Sequence, residues 1–149
     1  MKYEQLQKEI LHQIFMENCI AFDKKEKNIN FILNNGSVLF IVPKCFNFIE
    51  VDNINESKVV NTDVIIKTID FDNYKPVELS KELMETRLDG KKTILNCFNI
   101  DDEKIYINQK NLKFFNLDEI NFKVKNKISS VLVYEHNELR AIIMPVRVK

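Results

Sequence analysis

Apolar residues recur at helical spacing in the first part of this 149-residue chain. Between Lys2 and Met16 they return every three or four positions, which predicts an amphipathic helix. The apolar stripe consists of Tyr3, Leu6, Ile10 and Ile14. The exposed face is expected to carry Glu4, Gln5, Lys8, His12 and Gln13. That polar face has mixed charge, so it does not by itself indicate a polyanionic partner.

Two short apolar runs follow, separated by residues that favour a tight turn. Asn30–Leu33 and Ser37–Val42 flank Asn34-Asn35-Gly36, whose residues tolerate a positive φ. This pattern predicts a β-hairpin. Pro43 should end the second strand, because proline has no N–H to donate to a neighbouring strand.

The middle of the chain combines a strand-like run with a segment of helical spacing. Glu50–Thr62 is polar and predicts a loop, and Asp63–Phe71 is apolar on both faces, which predicts a strand with an edge open to self-association. Pro76–Leu88 has leucines at helical spacing and predicts a second helix capped by Gly90. Thr93–Phe98 predicts another strand.

The last third reads strand, short helix and three strands, a β-α-β-β-β order. The five predicted elements are Lys104–Asn108, Gln109–Phe115, Ile120–Lys125, Ser130–Glu135 and Glu138–Val148. The helix and strands of the first 43 residues have a similar order. The whole pattern predicts an α+β fold in one domain, 1–149, with helices packed on antiparallel sheets.

Composition narrows the functional classes. The chain has 22 basic and 22 acidic residues, so a protein that binds nucleic acid through an overall basic excess is not indicated. Its cysteines, Cys19, Cys45 and Cys97, are widely spaced, which predicts reduced and mostly buried thiols rather than a zinc site. No apolar run approaches the ~20 residues needed to span a bilayer, so we expect a cytoplasmic protein without membrane contact.

Residues with catalytic potential are scattered. Asp101-Asp102-Glu103 lies in a turn, Asp70 and Asp72 flank one residue, and His12 and His136 are distant in sequence. None of these forms the nucleophile–base or ligand spacing that catalysis or metal binding requires. We therefore expect a non-enzymatic protein with no metal and no cofactor. The alternative, an enzyme whose site is assembled from scattered residues, would show a polar pocket with clustered carboxylates.

Basic residues concentrate in the final third. They are Lys110, Lys113, Lys123, Lys125, Lys127 and Arg147. Lys123 and Lys125 project from one face of a predicted strand, which suits a phosphate-facing stripe but is more typical of the polar face of a sheet. The adjacent Phe114 and Phe115 are expected in the core.

The ending carries a family resemblance. Ile105-Tyr106-Ile107-Asn108 leads into the short helix, and the chain closes with Ile142-Ile143-Met144-Pro145-Val146-Arg147-Val148. These residues resemble the C-terminal domain of the bacterial sliding clamp, the β subunit of the replicative polymerase. The resemblance covers about 45 residues. It implies a clamp-like repeat of β-α-β-β-β units.

The resemblance also implies partners. Met144, Pro145, Val146 and Arg147 would border an apolar groove that captures a peptide of a protein partner, and Lys110 and Lys113 would face DNA. A bacterial clamp chain has three such domains, whereas this chain has the length of one.

The hypothesis is thus a non-enzymatic, clamp-like protein-binding module, encoded by a phage or prophage. It would act in DNA replication or in takeover of host replication. The alternative is a small phage inhibitor that binds and blocks a host nuclease or defence complex.

Overall fold

A computed structural model describes residues 1–16, 20–53 and 58–148. The helices are α1 (Tyr3–Phe15) and α2 (Asp63–Lys67). The strands are β1 (Ala21–Lys24), β2 (Asn28–Leu33), β3 (Val38–Pro43), β4 (Lys75–Val77), β5 (Leu79–Leu88), β6 (Lys91–Ile100), β7 (Glu103–Asn108), β8 (Ile120–Val124), β9 (Val131–Glu135) and β10 (Glu138–Ile143). Within the described residues, short 3₁₀ turns lie at Lys44–Phe46, Val51–Asn53, Phe71–Asn73, Gln109–Asn111 and Leu117–Glu119.

Two antiparallel sheets carry the fold. The larger has the order β1-β2-β3-β10-β9-β8-β4, and the smaller has the order β5-β6-β7. The larger sheet consists mainly of two three-strand meanders that meet through their last strands, with Ala141 of β10 opposite Phe40 of β3. The coarse prediction of a mixed fold with antiparallel sheets is therefore confirmed, and the clamp-like repeat stays a prediction.

The main core lies between the two sheets and α1. Phe98 of β6 meets Phe122 of β8 edge to face, with ring centroids 4.9 Å apart, so the sheets share one apolar interior. Leu6 and Ile10 bury the apolar stripe of α1 in this core. A second cluster covers the opposite face of the large sheet, where Ile66 and Ile69 pack over residues of β3, β9 and β10.

A polar network attaches the α2 segment to that opposite face. The Asp23 carboxylate accepts hydrogen bonds from the Thr62 backbone N–H (2.6 Å) and hydroxyl (2.8 Å), and it pairs with Lys25 at 2.7 Å. Lys25 also pairs with Asp63 at 2.8 Å, and Asn30 donates to the Thr62 hydroxyl at 2.8 Å. Burial opposes ionisation of Asp23, but the hydrogen bonds outweigh it, so the pKa of this carboxyl lies below its ordinary value.

The predictions for the first third are confirmed with one correction. Helix α1 and the β2–β3 hairpin form as expected, and Asn34, Asn35 and Gly36 all have positive φ. Gln13, predicted on the exposed face of α1, is buried, because its amide donates to Glu9 and to Asn34. The predicted loop Glu50–Thr62 lies partly outside the described residues, and its described part contains a 3₁₀ turn at Val51–Asn53.

The predicted strand Asp63–Phe71 is wrong. Residues Asp63–Lys67 form the short helix α2, and no sheet edge for self-association exists there. Ile66 and Ile69, three residues apart, pack on the large sheet, which is a helical spacing that the β-branched Val-Ile-Ile run concealed.

The predicted helix Pro76–Leu88 is also wrong. This segment forms β4 and β5, and β5 pairs antiparallel with β6. Burial alternates from Met84 to Leu88 with the period of two that a strand requires. Gly90 (φ +77°) forms the hairpin turn between β5 and β6 instead of a helix cap. Pairing with β6 therefore overrides the helical spacing of the leucines.

The last third differs from the expected unit in two respects. Gln109–Phe115 forms a three-residue 3₁₀ turn followed by further turns, not a helix, and β7 belongs to the small sheet while β8, β9 and β10 belong to the large one. The final strand ends at Ile143, before Pro145, so the predicted strand Glu138–Val148 is too long. In the part of the chain that is described, no helix has the length and apolar character needed to cross a bilayer.

Candidate binding groove

A groove of about 1110 Å³ opens where the small sheet extends beyond the core. One wall is the start of β6, and the other is the β7–β8 connection, residues 109–119. Its lining residues are Lys2, Lys91, Lys92, Thr93, Ile94, Asn96, Asn108, Gln109, Lys110, Leu112, Lys113, Phe115, Asn116, Leu117, Asp118 and Glu119.

The β5–β6 hairpin forms the first wall because its turn is tight. Asp89 and Gly90 both have positive φ (50° and 77°), which lets β5 and β6 pair up to Leu88 and Lys91. The hairpin thus carries Lys91 and Lys92 past the core. These residues are exposed, so this wall of the groove is accessible to a ligand from solvent.

The β7–β8 connection forms the second wall and is held from inside. The Asn108 side chain accepts a hydrogen bond from the Lys110 backbone N–H at 3.1 Å, which caps the 3₁₀ turn. Asn111 is fully buried and accepts from the Asn34 amide at 2.7 Å. Phe114 and Phe115 are buried against Phe40, with centroid distances of 5.6 and 6.0 Å, which confirms their predicted place in the core. The lysines between these anchors are therefore presented on a fixed backbone.

The groove is basic although the chain is neutral. Five lysines and two acidic residues, Asp118 and Glu119, line it. Lys92 pairs with Glu85 at 2.8 Å, and Lys113 pairs with Glu9 at 2.9 Å. For Lys91 and Lys110, both exposed, the described residues provide no salt-bridge partner. The fifth lysine, Lys2, donates to the Lys113 backbone carbonyl at 3.4 Å. The ammonium groups of Lys91 and Lys110 therefore remain for an acidic ligand.

Glu9 joins the groove to helix α1. Burial opposes its ionisation, but hydrogen bonds from Gln13 and Lys113 outweigh that effect and hold the pKa of Glu9 below its ordinary value. A smaller cavity of about 360 Å³ lies on the other side of Lys113. It is lined by Gln5, Lys8, Glu9, His12, Lys113 and Phe114.

Asn96 is an unusual member of the lining. Its side chain is only 6% exposed, and its carbonyl oxygen has no hydrogen-bond partner in the described structure. It lies on the same face of β6 as Ile94, two residues away. A buried carbonyl without a donor costs free energy, about 1–3 kcal/mol. This oxygen is itself closed to solvent, so a ligand in the groove does not contact it.

The groove brings together only some of the predicted site residues. Lys110 and Lys113 both line it and are exposed. Met144, Pro145, Val146 and Arg147 line neither of the two cavities described above. Met144 and Arg147 are exposed, and Pro145 and Val146 are half-buried.

The tail instead connects the two sheets. The Met144 N–H donates to the Ser37 carbonyl at 2.9 Å, and the Val146 N–H donates to the Tyr106 carbonyl at 2.7 Å. Ser37 follows the β2–β3 turn and Tyr106 lies in β7, so this segment ties the large sheet to the small one.

The other basic residues of the final third have structural partners. Lys125 pairs with Asp70 at 2.9 Å and Lys127 with Glu103 at 2.7 Å. The Lys123 ammonium lies over the Tyr134 ring at 5.0 Å from its centroid. This arrangement favours the polar-face interpretation of the stripe over the phosphate-facing one.

The remaining candidates do not converge. Asp70 bonds to Asn73 and Lys125. His12 and His136 are exposed on separate elements, and no metal-binding group of His, Cys, Asp and Glu occurs among the residues that the structure describes.

The cysteine prediction is confirmed at one position and wrong at another. Cys97 is buried, which raises the pKa of its thiol, and Cys45 is exposed. Cys19 lies outside the described residues.

Sequence reasoning missed three groove residues, namely Lys91, Lys92 and Asn96. Lys91 and Lys92 directly follow Gly90, which the sequence pattern assigns to a helix cap. Asn96 left a signal, since it interrupts the apolar run Thr93–Phe98 at a position that should face the core. No protein-family model, curated protein or solved structure matches this chain.

Proposed function

We propose that this protein is a non-enzymatic binding module that holds a segment of a protein partner in the groove between β6 and the β7–β8 connection. The observation that carries this proposal is the groove itself, which combines about 1110 Å³ of space with exposed apolar and basic side chains on fixed backbone. A cleft of this size suits a short extended peptide, whose anchor side chains would provide most of the affinity.

The biological setting proposed is DNA replication or takeover of host replication by a phage or prophage, in the cytoplasm. Support comes from the resemblance of the ending to the sliding clamp. It also comes from the two three-strand meanders of the large sheet, one following α1 and the other following the β7–β8 connection. DNA contact through Lys110 and Lys113 is part of the same resemblance. The proposal places these lysines in a peptide groove.

Selection from an unbiased library of displayed peptides tests the function. Enriched peptides are measured against three variants that each place a carboxylate on an exposed apolar residue: Leu117→Asp in the groove, Leu83→Asp on β5 and Met144→Asp in the tail. We expect at least about tenfold weaker binding for the groove variant, because its carboxylate is brought against the apolar anchor. The β5 and tail variants should bind normally.

Two outcomes contradict the proposal. One is the absence of any enriched peptide. The other is binding that survives Leu117→Asp, in particular binding that Met144→Asp abolishes, which would return the site to the tail implied by the sequence resemblance. Thermal unfolding of each variant confirms that it is folded.

A further inference from the structure

The chemistry of the groove identifies the class of segment that it accepts. Resting on the proposed function, we infer that the occupant is an acidic peptide segment with at least one large apolar side chain. Two independent features of the groove support this inference.

The first feature is charge. Lysines outnumber carboxylates five to two in the lining of a protein whose total charge is zero. Lys91 on the hairpin and Lys110 on the facing wall are exposed, and the described residues leave both without a salt bridge. Carboxylates of a bound segment would be attracted by both walls, an attraction that weakens as salt increases.

The second feature is apolar surface. Ile94 is 40% exposed and Leu117 is 49% exposed, and they lie on opposite walls of the groove. Each would gain by contact with an apolar side chain of the ligand, at roughly 25 cal/mol per Å² of area removed from water. A segment with acidic residues alone would leave both uncovered.

These features distinguish a peptide from single-stranded nucleic acid. Nucleic-acid channels combine cations with exposed aromatic rings on which bases stack. The aromatic residue of this lining, Phe115, is buried in the core and presents no open ring. Asp118 and Glu119 would repel a phosphate backbone along the second wall. An acidic peptide can place its carboxylates toward the lysines and its apolar residue beside these acids.

Fluorescently labelled synthetic ligands test the inference on the full chain. The probes are a short peptide rich in Asp and Glu with one Leu, the same peptide with Ser for Leu, the same peptide with Lys for each acid, and oligothymidine of similar length. We expect the acidic Leu peptide to bind tightest and to weaken with added salt. Both altered peptides should lose about tenfold or more in affinity.

Matched variants locate the binding. Reversing both free lysines, as Lys91→Glu with Lys110→Glu, should weaken the acidic peptide by about five- to tenfold. The control, Lys67→Glu with Lys81→Glu, makes the same charge change at exposed lysines away from the groove and should have little effect.

The outcomes separate this inference from the proposed function. If library peptides bind the groove but the acidic probe binds no better than its Lys counterpart, the inference is overturned and the proposed function stands. If oligothymidine binds tighter than the acidic peptide and the lysine reversals abolish that binding, the groove is a nucleic-acid site and the inference is also overturned.

Discussion

The Asn34 side-chain amide donates a hydrogen bond to the side-chain oxygen of Asn111 at 2.7 Å, across 77 residues of sequence. Asn34 lies in the β2–β3 turn, and Asn111 is fully buried in the connection that presents Lys110 and Lys113. Asn111 also donates to the Ser37 hydroxyl at 3.5 Å. One buried amide therefore fixes the lysine-bearing wall of the groove to the hairpin of the large sheet.

Replacing this amide should destabilise the protein. We expect Asn111→Ala to lower the free energy of unfolding by about 1–3 kcal/mol, because it removes the acceptor of the Asn34 amide inside the protein. Urea unfolding followed by circular dichroism measures the change. Asn116→Ala, an exposed asparagine on the same connection, is the control and should cost less. Equal stability of the two variants would show that the Asn34–Asn111 contact contributes nothing.

Acid should weaken the attachment of the α2 segment through Asp23. Because its folded-state pKa is lowered, ionised Asp23 stabilises the fold fully above its unfolded-state pKa of about 3.9. That contribution is lost as the pH falls through the lower pKa of the folded protein. Urea unfolding, measured from neutral pH down to about pH 2, should therefore show the free energy of unfolding decreasing most steeply below the unfolded-state pKa of Asp23.

The variant Asp23→Asn isolates this effect. It should be less stable at neutral pH and should lack part of the acid-dependent loss, because the group that binds the proton on unfolding is gone. The matched control is Asp72→Asn, which changes an exposed carboxyl that has no hydrogen-bond partner among the described residues. A parallel decline of Asp23→Asn and the wild type would contradict the assigned role of Asp23.

The β5–β6 turn should be sensitive to a single methyl group. Gly90 has φ +77°, and a Cβ built there meets no atom within 4 Å. The cost of Gly90→Ala therefore comes from backbone strain alone, about 1–2 kcal/mol. Gly36→Ala, also at positive φ without a close contact, should cost about the same. A much larger cost at Gly90, measured by urea unfolding, would mean that the hairpin changes register.

The accuracy of the sequence predictions follows the range of the interactions that determine each element. Helix α1 and the β2–β3 hairpin are specified locally, by an apolar stripe and by three consecutive residues that accept positive φ. Segments 63–71 and 76–88 are specified by distant partners. The first becomes helical because it covers the outer face of the large sheet, and the second becomes extended because β6 pairs with it.

The groove could be predicted only in part for the same reason. Lys110 and Lys113 are implied by the resemblance, as residues that would face DNA, and they lie on one local segment after β7. Lys91 and Lys92 reach the same groove only through the β5–β6 pairing, which the helical spacing of the leucines concealed. The tail Met144-Pro145-Val146-Arg147 is also implied by the resemblance, and its backbone hydrogen bonds join the two sheets.

The free edge of β5 raises the question of self-association. Its outer edge has no neighbour in the small sheet, and unpaired edges can pair with a second copy. A register shift between Leu79 and Leu83 bends this strand, and Lys81 and Glu85 flank the exposed Leu83 on one face. Bulges and charges of this kind disfavour pairing between edges. We expect the purified protein to sediment as a monomer.

Removing the charges should expose the edge. Lys81→Val with Glu85→Val keeps the net charge constant and leaves three consecutive same-face positions apolar around Leu83. We expect this variant to associate as its concentration rises, since the bulge remains but the charged flanks are gone. The control, Glu4→Val with Lys8→Val, removes an exposed ion pair of opposite charges from helix α1, which has no unpaired backbone groups along its side. Sedimentation velocity should show the control as a monomer. If the edge variant also remains a monomer, the bulge alone protects the strand, and the charges at positions 81 and 85 are not needed for that purpose.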